Sequence, residues 1–181
     1  MFVLNDSKIL KAGMPWIDSN GVQHPGNWAS VWPNDVKTSY GIKEVGVQAR
    51  PDDKFYIVGE LNLNGSWEST PRKIDDVTTT VDGVDYVKPG LKSKWIIKTK
   101  ETANTLLAPT DWQVIAKAER NRAIDSNVST YRAAVITKCD EIETAIKACS
   151  DLDAFKKLFD SPVDSDGKST GNPPIFDWPK K

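Results

Sequence analysis

One histidine and two cysteines in 181 residues leave little from which to build imidazole or thiolate chemistry. With His24 alone, a multi-histidine metal site is excluded, and any Ser-His-Asp or Cys-His nucleophile system has to be assembled on that single ring. Positive charge is not in excess either. Lys and Arg number 24 against 25 Asp and Glu, so the chain has no basic field of the kind that gathers phosphates, and nucleic acid is not an expected partner. No apolar run approaches the roughly 18 residues of a membrane span. The opening Met1-Phe2-Val3-Leu4-Asn5-Asp6 lacks the basic and apolar regions of an export signal. A soluble chain made in a cytoplasm is expected, with no membrane partner. A phosphate-binding glycine loop, a G-x-S-x-G elbow and an internal repeat of 20 to 50 residues are also missing.

The residues that could carry chemistry read more simply as structure. His24 lies in Val22-Gln23-His24-Pro25-Gly26, a surface strand end. Cys139 and Cys149, on one helix, stand about 15 Å apart at 1.5 Å per residue, too far for a disulfide, so reduced and packed thiols are expected. Asp52-Asp53, Asp75-Asp76 and Asp140-Glu141 pair carboxylates along the chain, whereas glycoside hydrolysis needs them across a cleft. Asp164-Ser165-Asp166-Gly167 has the form of a calcium-loop opening, but no Glu follows at the twelfth position, and a solvated turn is the reading. No catalytic residue, metal ligand or cofactor site is assigned.

What the chain does have is 39% hydrophobic residues, enough for a real core, and a clear change of period. Residues 1–88 read as short strands broken by turns. Asn20-Gly21, Asn64-Gly65 and Asp82-Gly83 sit between apolar residues and predict hairpins with two-residue turns. Residues 55–63 form the best strand, and a short helix between Asn34, as cap, and Gly41, as stop, carries Val36 and Tyr40 on one face.

Residues 89–160 turn to a period of about 3.6. Leu91, Trp95, Thr99, Ala103, Leu106 and Leu107 make one helical stripe, which Pro109 stops. Thr110-Asp111-Trp112-Gln113 has the form of a capping box, opening a helix to about Arg120 with Trp112 and Ile115 facing inward. Val128, Tyr131, Val135, Cys139, Ile142, Ile146 and Cys149 then mark a helix over 125–149 with one narrow apolar face, Glu143 lying outside it. That face suits an antiparallel hairpin with 91–107, or equally a seam to another copy, so a homo-oligomer is among the expected states. Ser150 with Asp153 starts a last short helix. Residues 161–181 are a polar, Gly- and Pro-rich loop followed by a docking tail. The expected fold class is therefore α+β: a β-rich hairpin unit, a helical hairpin or bundle, and an extended C-terminal tail.

Seven tryptophans against five phenylalanines is the unusual count. Trp joins a large apolar area to a polar edge and is enriched at interfaces and on sugar-stacking platforms. Trp95 and Trp112 fall on helical stripes and read as core. Trp16, Trp28 and Trp32, in a Pro- and Gly-rich stretch, and Phe176 with Trp178 in the tail are the candidate interface residues.

Three stretches, taken together, resemble a known group of proteins. The run from Met14 through Asn20-Gly21-Val22-Gln23-His24-Pro25-Gly26-Asn27-Trp28 resembles the opening of small reading frames of tailed bacteriophages. Thr102-Ala103 and Leu106-Leu107, then Thr110-Asp111-Trp112-Gln113-Val114-Ile115 and Tyr131-Arg132, are similar to a module of phage tail-fibre-associated and fibre-assembly proteins, though Ala116 stands where that module commonly has Arg. Ile175-Phe176-Asp177-Trp178-Pro179 matches its apolar-Trp-Pro end. The resemblance implies a non-enzymatic structural protein of the virion tail, in fibre or baseplate, whose partners are other tail proteins. A fibre-assembly chaperone absent from the mature particle and a module binding host glycan through exposed Trp are the alternatives.

Overall fold

The computed structural model describes residues 1–180, and the architecture is α+β. Two compact units divide at Thr70 and Pro71, whereas the hydrophobic period changes at 88/89.

The first unit is built from short strands. β1 (Phe2–Leu4) is the middle of an antiparallel sheet, paired with β2 (Lys8–Leu10) in the register Val3 to Ile9 and with β5 (Ile42–Glu44) in the register Val3 to Lys43. Between β2 and β5 come the two-residue strands β3 (Trp16–Ile17) and β4 (Gln23–His24), then α1 (Trp28–Val31) and α2 (Asn34–Ser39). Leu10 and Ile42 close with Trp16 and Trp28 into one buried cluster, packed against by Phe2, Leu4, Ala29 and Trp32. Asn34 is the first residue of α2 and Pro33 precedes it in extended conformation, so Asn34 does not cap; Gly41 does take the positive φ of a stop. A second hairpin pairs β6 (Tyr56–Leu61) with β7 (Trp67–Pro71). Its loop is held from outside: the Gln48 amide donates to the Gly65 carbonyl at 2.9 Å and Trp67 Nε1 donates to the Gln48 carbonyl at 3.2 Å. Gly65, at φ +81°, lies so close to the Gly46 carbonyl that a Cβ would collide with it.

The three expected hairpins form, but only one has the two-residue turn. Between β8 (Val77–Val81) and β9 (Val84–Lys88), Asp82 and Gly83 both have positive φ, as a type I′ turn demands. The other two have five-residue loops in which only the glycine is left-handed. The cause in the β3–β4 loop is Asp18, whose Oδ1 accepts from the amides of Asn20 and Val22 at 2.8 and 2.9 Å and so fixes a wider turn.

The second unit owns the β8–β9 hairpin because the start of α3 (Leu91–Leu107) is stitched to the segment before it. The amides of Leu91 and Lys92 donate to the carbonyls of Lys73 and Ile74 at 3.0 and 2.9 Å, and that of Gly90 donates to Asp76 Oδ1 at 2.8 Å. These bonds satisfy donors that a helix start leaves without intrahelical partners. The same contacts hold the Asp76 carboxyl below its ordinary range, the Gly90 amide first and the Ser93 side chain second.

After a 3₁₀ turn over Ala108–Thr110 come α4 (Asp111–Arg120), α5 (Ser126–Ala148) and α6 (Leu152–Lys157). α3 and α5 pack as an antiparallel pair: Arg132, early in α5, reaches Leu107 at the end of α3, and Glu143, late in α5, reaches Lys100. Val135 and Ile146 are fully buried, Cys139, Ile142 and Cys149 nearly so, so the stripe read from the sequence is the packed face. Glu143 corrects that reading. It is buried, and its two carboxylate oxygens lie 3.6 Å from Lys100 Nζ and 3.2 Å from Lys147 Nζ. Asp151, not Ser150, caps α6, its carboxylate accepting the Ala154 amide at 2.8 Å.

Residues 161–171 fold into a small turn in which Asp164 Oδ1 accepts the amides of Asp166 and Lys168, as Asp18 does in the other unit. A 3₁₀ turn, Pro174–Phe176, then lays the tail on its own helices. Ile175 is buried and its amide donates to the Leu158 carbonyl at 3.2 Å.

Candidate interaction surfaces

The densest side-chain cluster gathers the residues that the sequence offers as an interface. Trp16 and Trp28 are not on the surface: at 5% and 0% exposure they are the core of the first unit. The segment containing them is rich in Pro and Gly because it must turn sharply around them. Trp28 Nε1 donates to the Met14 carbonyl at 3.0 Å, while Trp16 Nε1 is buried with no hydrogen-bond partner among the described residues. Trp32 is half-buried, stacked on Tyr40 at 5.0 Å and 23°. Two of three rings that a sugar-stacking face would use are therefore inaccessible.

His24 also corrects its expected place at a surface strand end. Its ring is buried, 4.6 Å from the Trp16 ring and 5.0 Å from Tyr40, and its Nε2 lies 3.1 Å from Asp18 Oδ2. Because β3 and β4 pair Trp16 with His24, the imidazole follows the indole inward. The Asp18 carboxyl is held below its ordinary value, first by the Val22 amide and further by His24 and the Asn20 amide. Both carboxylate oxygens of Asp18 are thus engaged, Oδ1 by the loop amides and Oδ2 by His24, which makes the His24–Asp18 pair an element of structure. Tyr40, which the sequence places with Val36 on a helix face, was the unread member of this cluster.

In the second unit Phe176 and Trp178 turn toward the chain itself. Trp178 packs on the cluster of Ala103, Val135 and Cys139, and Phe176 lies 6.1 Å from Trp95 and 5.9 Å from Phe159. Asp177, between them, pairs with Lys138 at 3.3 Å. The docking tail therefore docks within the chain. Both cysteines are buried and without a disulfide, and burial raises each thiol pKa, the Glu143 carboxylate adding to the rise at Cys139.

The stretch that carries the resemblance divides into members with an internal task and one without. Arg132 Nη1 lies 2.9 Å from the Leu107 carbonyl, 2.8 Å from Thr110 Oγ1 and 2.8 Å from Asp111 Oδ1, so Thr110, Asp111 and Arg132 form a clamp between the end of α3, the start of α4 and α5. Thr110 Oγ1 donates to the Leu107 carbonyl, and Gln113 donates to Asp125 Oδ2 and accepts the Asp125 amide, at 2.8 and 2.9 Å. The capping box is thereby replaced: each side chain that would close it is taken by α5 or by the turn before it. Trp112 and Ile115 are the second correction. They point outward at 52% and 54% exposure, with the Arg122 guanidinium 5.5 Å from the Trp112 ring centre. Trp and Arg are among the residue types enriched where a few side chains dominate a protein interface.

The β8–β9 hairpin is the other uncovered surface. None of its ten strand residues is buried or half-buried. Among the described residues no group of three or more His, Cys, Asp and Glu side chains is placed to hold a metal ion. No family model matches the chain, and no curated protein or solved structure matches it.

Proposed function

We propose that the chain is a non-enzymatic structural protein of a tailed bacteriophage, built into the tail and attaching to other tail proteins through the outward face of α4. The resemblance of the Thr110-Asp111-Trp112 stretch supports the phage context. The observation that supports attachment is the division of labour within that stretch: Thr110, Asp111 and Arg132 hold one another, while Trp112, the largest side chain of the run, lies outside the core. A half-exposed Trp contributes little to folding, yet it buries a large area once a partner covers it.

Quantitative mass spectrometry of purified particles of the encoding phage tests the reading. A small fixed ratio to a known tail protein is the expected result. Absence from particles, with abundance in the infected lysate, would overturn it in favour of an assembly chaperone. Complementation with Trp112→Ala, its helix content checked by circular dichroism, tests the face. The variant is expected to fold and to be depleted from particles. Incorporation equal to wild type would move the attachment surface elsewhere.

A further inference from the structure

An asparagine followed by glycine is chemically labile, because glycine has no side chain to obstruct its amide nitrogen when that nitrogen attacks the asparagine side chain. The chain contains two such pairs, Asn20-Gly21 and Asn64-Gly65, with the same reacting atoms. Both glycines are left-handed at φ +81°, and both amides donate to a loop carbonyl, Gly21 to Asp18 at 3.1 Å and Gly65 to Asn62 at 3.0 Å. The attacking nitrogens are therefore restrained alike, and what separates the two pairs lies around them.

The asparagine side chains differ first. Asn64 Oδ1 accepts the Ser66 amide at 3.0 Å and the Ser66 hydroxyl at 2.6 Å, so its Cγ is held away from free rotation toward the Gly65 nitrogen. In the other loop Asp18 holds backbone amides only, those of Asn20 and Val22, and the Asn20 side chain makes no hydrogen bond among the described residues. The glycines differ as well. Gly65 is buried beneath the Gly46 carbonyl, and its own carbonyl accepts the Gln48 amide at 2.9 Å. Gly21 is exposed, and nothing lies within 4 Å of where a Cβ would stand. The amide must lose its proton to hydroxide or water before it attacks, so the exposed glycine is reachable and the buried one is shielded.

We infer that Asn20 is a site of spontaneous covalent modification, deamidation through a cyclic imide, and that the fold protects Asn64 from the same reaction. The Gly21 nitrogen forms a bond to Asn20 Cγ, the bond from Cγ to Nδ2 breaks, and ammonia leaves with the proton that the Gly21 amide gave up. The imide then takes up one water. Opening at the side-chain carbonyl gives aspartate at position 20. Opening at the main-chain carbonyl gives isoaspartate, whose main chain runs through Cβ and Cγ and is longer by one carbon. Water is the only co-reactant. Either product sets a new carboxylate two residues from Asp18, whose Oδ1 holds the loop and whose Oδ2 lies 3.1 Å from the buried His24 Nε2. Like charge beside Asp18 and a longer main chain both oppose the loop that pairs Trp16 with His24, so the modification weakens the core of the first unit.

Purified full-length chain is the material for the test, which does not depend on the tail reading. Samples are held at mildly alkaline pH, folded or in concentrated urea, and digested with trypsin beside an unincubated control. Tryptic peptides 12–37 and 55–72 carry the two sites separately, and Asn27 and Asn34, neither followed by glycine, are internal controls in the first. Tandem mass spectrometry locates each conversion of amide to acid. In the folded chain Asn20 should convert several-fold faster than Asn64, giving aspartate and isoaspartate peptides of equal mass and different retention. In urea the two rates should converge, since the same pair then reacts without a fold to distinguish its copies. The modified fraction, separated by ion exchange, should unfold at a lower urea concentration than fresh chain, as read by near-ultraviolet circular dichroism. Asn64 converting as fast as Asn20 in the folded chain, no conversion at Asn20, or a preference undiminished in urea would each overturn the assignment, and equal urea midpoints would overturn its consequence for the core.

Discussion

Trp16 and Trp28 share one core and differ in one respect, which makes them a matched pair. Trp28 Nε1 donates to the Met14 carbonyl at 3.0 Å, whereas Trp16 Nε1 is buried with no partner among the described residues. Replacing either by Phe removes the pyrrole part of the indole, at a cost of roughly 1 kcal/mol in buried area together with a cavity term. That cost is common to both and cancels in their difference. What remains is polar. Trp28→Phe loses a hydrogen bond and leaves a carbonyl without its donor, about 1–2 kcal/mol, while Trp16→Phe removes a buried donor whose desolvation costs about 1–3 kcal/mol. The Trp28→Phe protein should therefore be less stable than the Trp16→Phe protein by about 2 kcal/mol or more. Urea unfolding followed by near-ultraviolet circular dichroism, to which packed indoles contribute strongly, measures this in the unit concerned. Equal stabilities, or a weaker Trp16→Phe variant, would refute the assignment of the two indole donors.

Two further outcomes follow from burial and charge. Ile146 is fully buried and Ile136 half-exposed on the same helix, so Ile146→Ala should cost about 2–5 kcal/mol and Ile136→Ala within about 0.5 kcal/mol, as read by far-ultraviolet circular dichroism in urea; comparable effects would mean that α5 packs by another face. Asp18, Asp76 and Asp151 all have folded-state pKa values below their ordinary one, held down first by the amides of Val22, Gly90 and Ala154 respectively. A depressed carboxylate contributes stability that is fully present above its unfolded pKa, about 3.9, and is lost as pH falls through the folded value. Melting temperature should accordingly be steady toward neutral pH and fall below about pH 4, and Asp76→Asn should lower it at neutral pH while flattening its fall in acid. An acid slope unchanged by Asp76→Asn would sever the link between that carboxylate and the start of α3.

The helical half was legible because its signals are redundant. Along α5 the buried positions Val135, Cys139, Ile142 and Ile146 repeat at helical spacing over several turns, so one ambiguous residue cannot shift the register. The turns were less legible, since an Asn-Gly pair announces a reversal without fixing its width. At Asp82-Gly83 both residues take positive φ, as the two-residue turn demands. At Asn20-Gly21 a carboxylate two residues upstream captures two amides and widens the loop, and the Asp-x-Asn-Gly order was the signal available for it. The clamp on Arg132 lay beyond such reasoning, because it joins side chains more than 20 residues apart. Glu143 was missed for the same reason: it lies one residue off the apolar stripe, beside Ile142, and its ion partner Lys100 comes from the facing helix.

The misplacement of Trp112 has a different origin, and it bears on where partners should be sought. A stripe of apolar residues says that side chains share a face, but not that the chain has anything to lay upon that face. For α3 and α5 each supplies the other's cover. α4 has only ten residues, and its inward contact is made by Gln113, through Asp125 at the start of α5, so its apolar residues are left to the other side. The β8–β9 hairpin repeats the situation in β form: its alternation is that of a half-buried strand, with no layer above it among the described residues. By contrast the aromatic residues of the first unit, which the count of tryptophans brings forward first, cover one another. Amphipathic pattern without cover, rather than aromatic content, is thus what leaves apolar side chains exposed, and in this chain it does so on the outward side of α4 and on the β8–β9 hairpin.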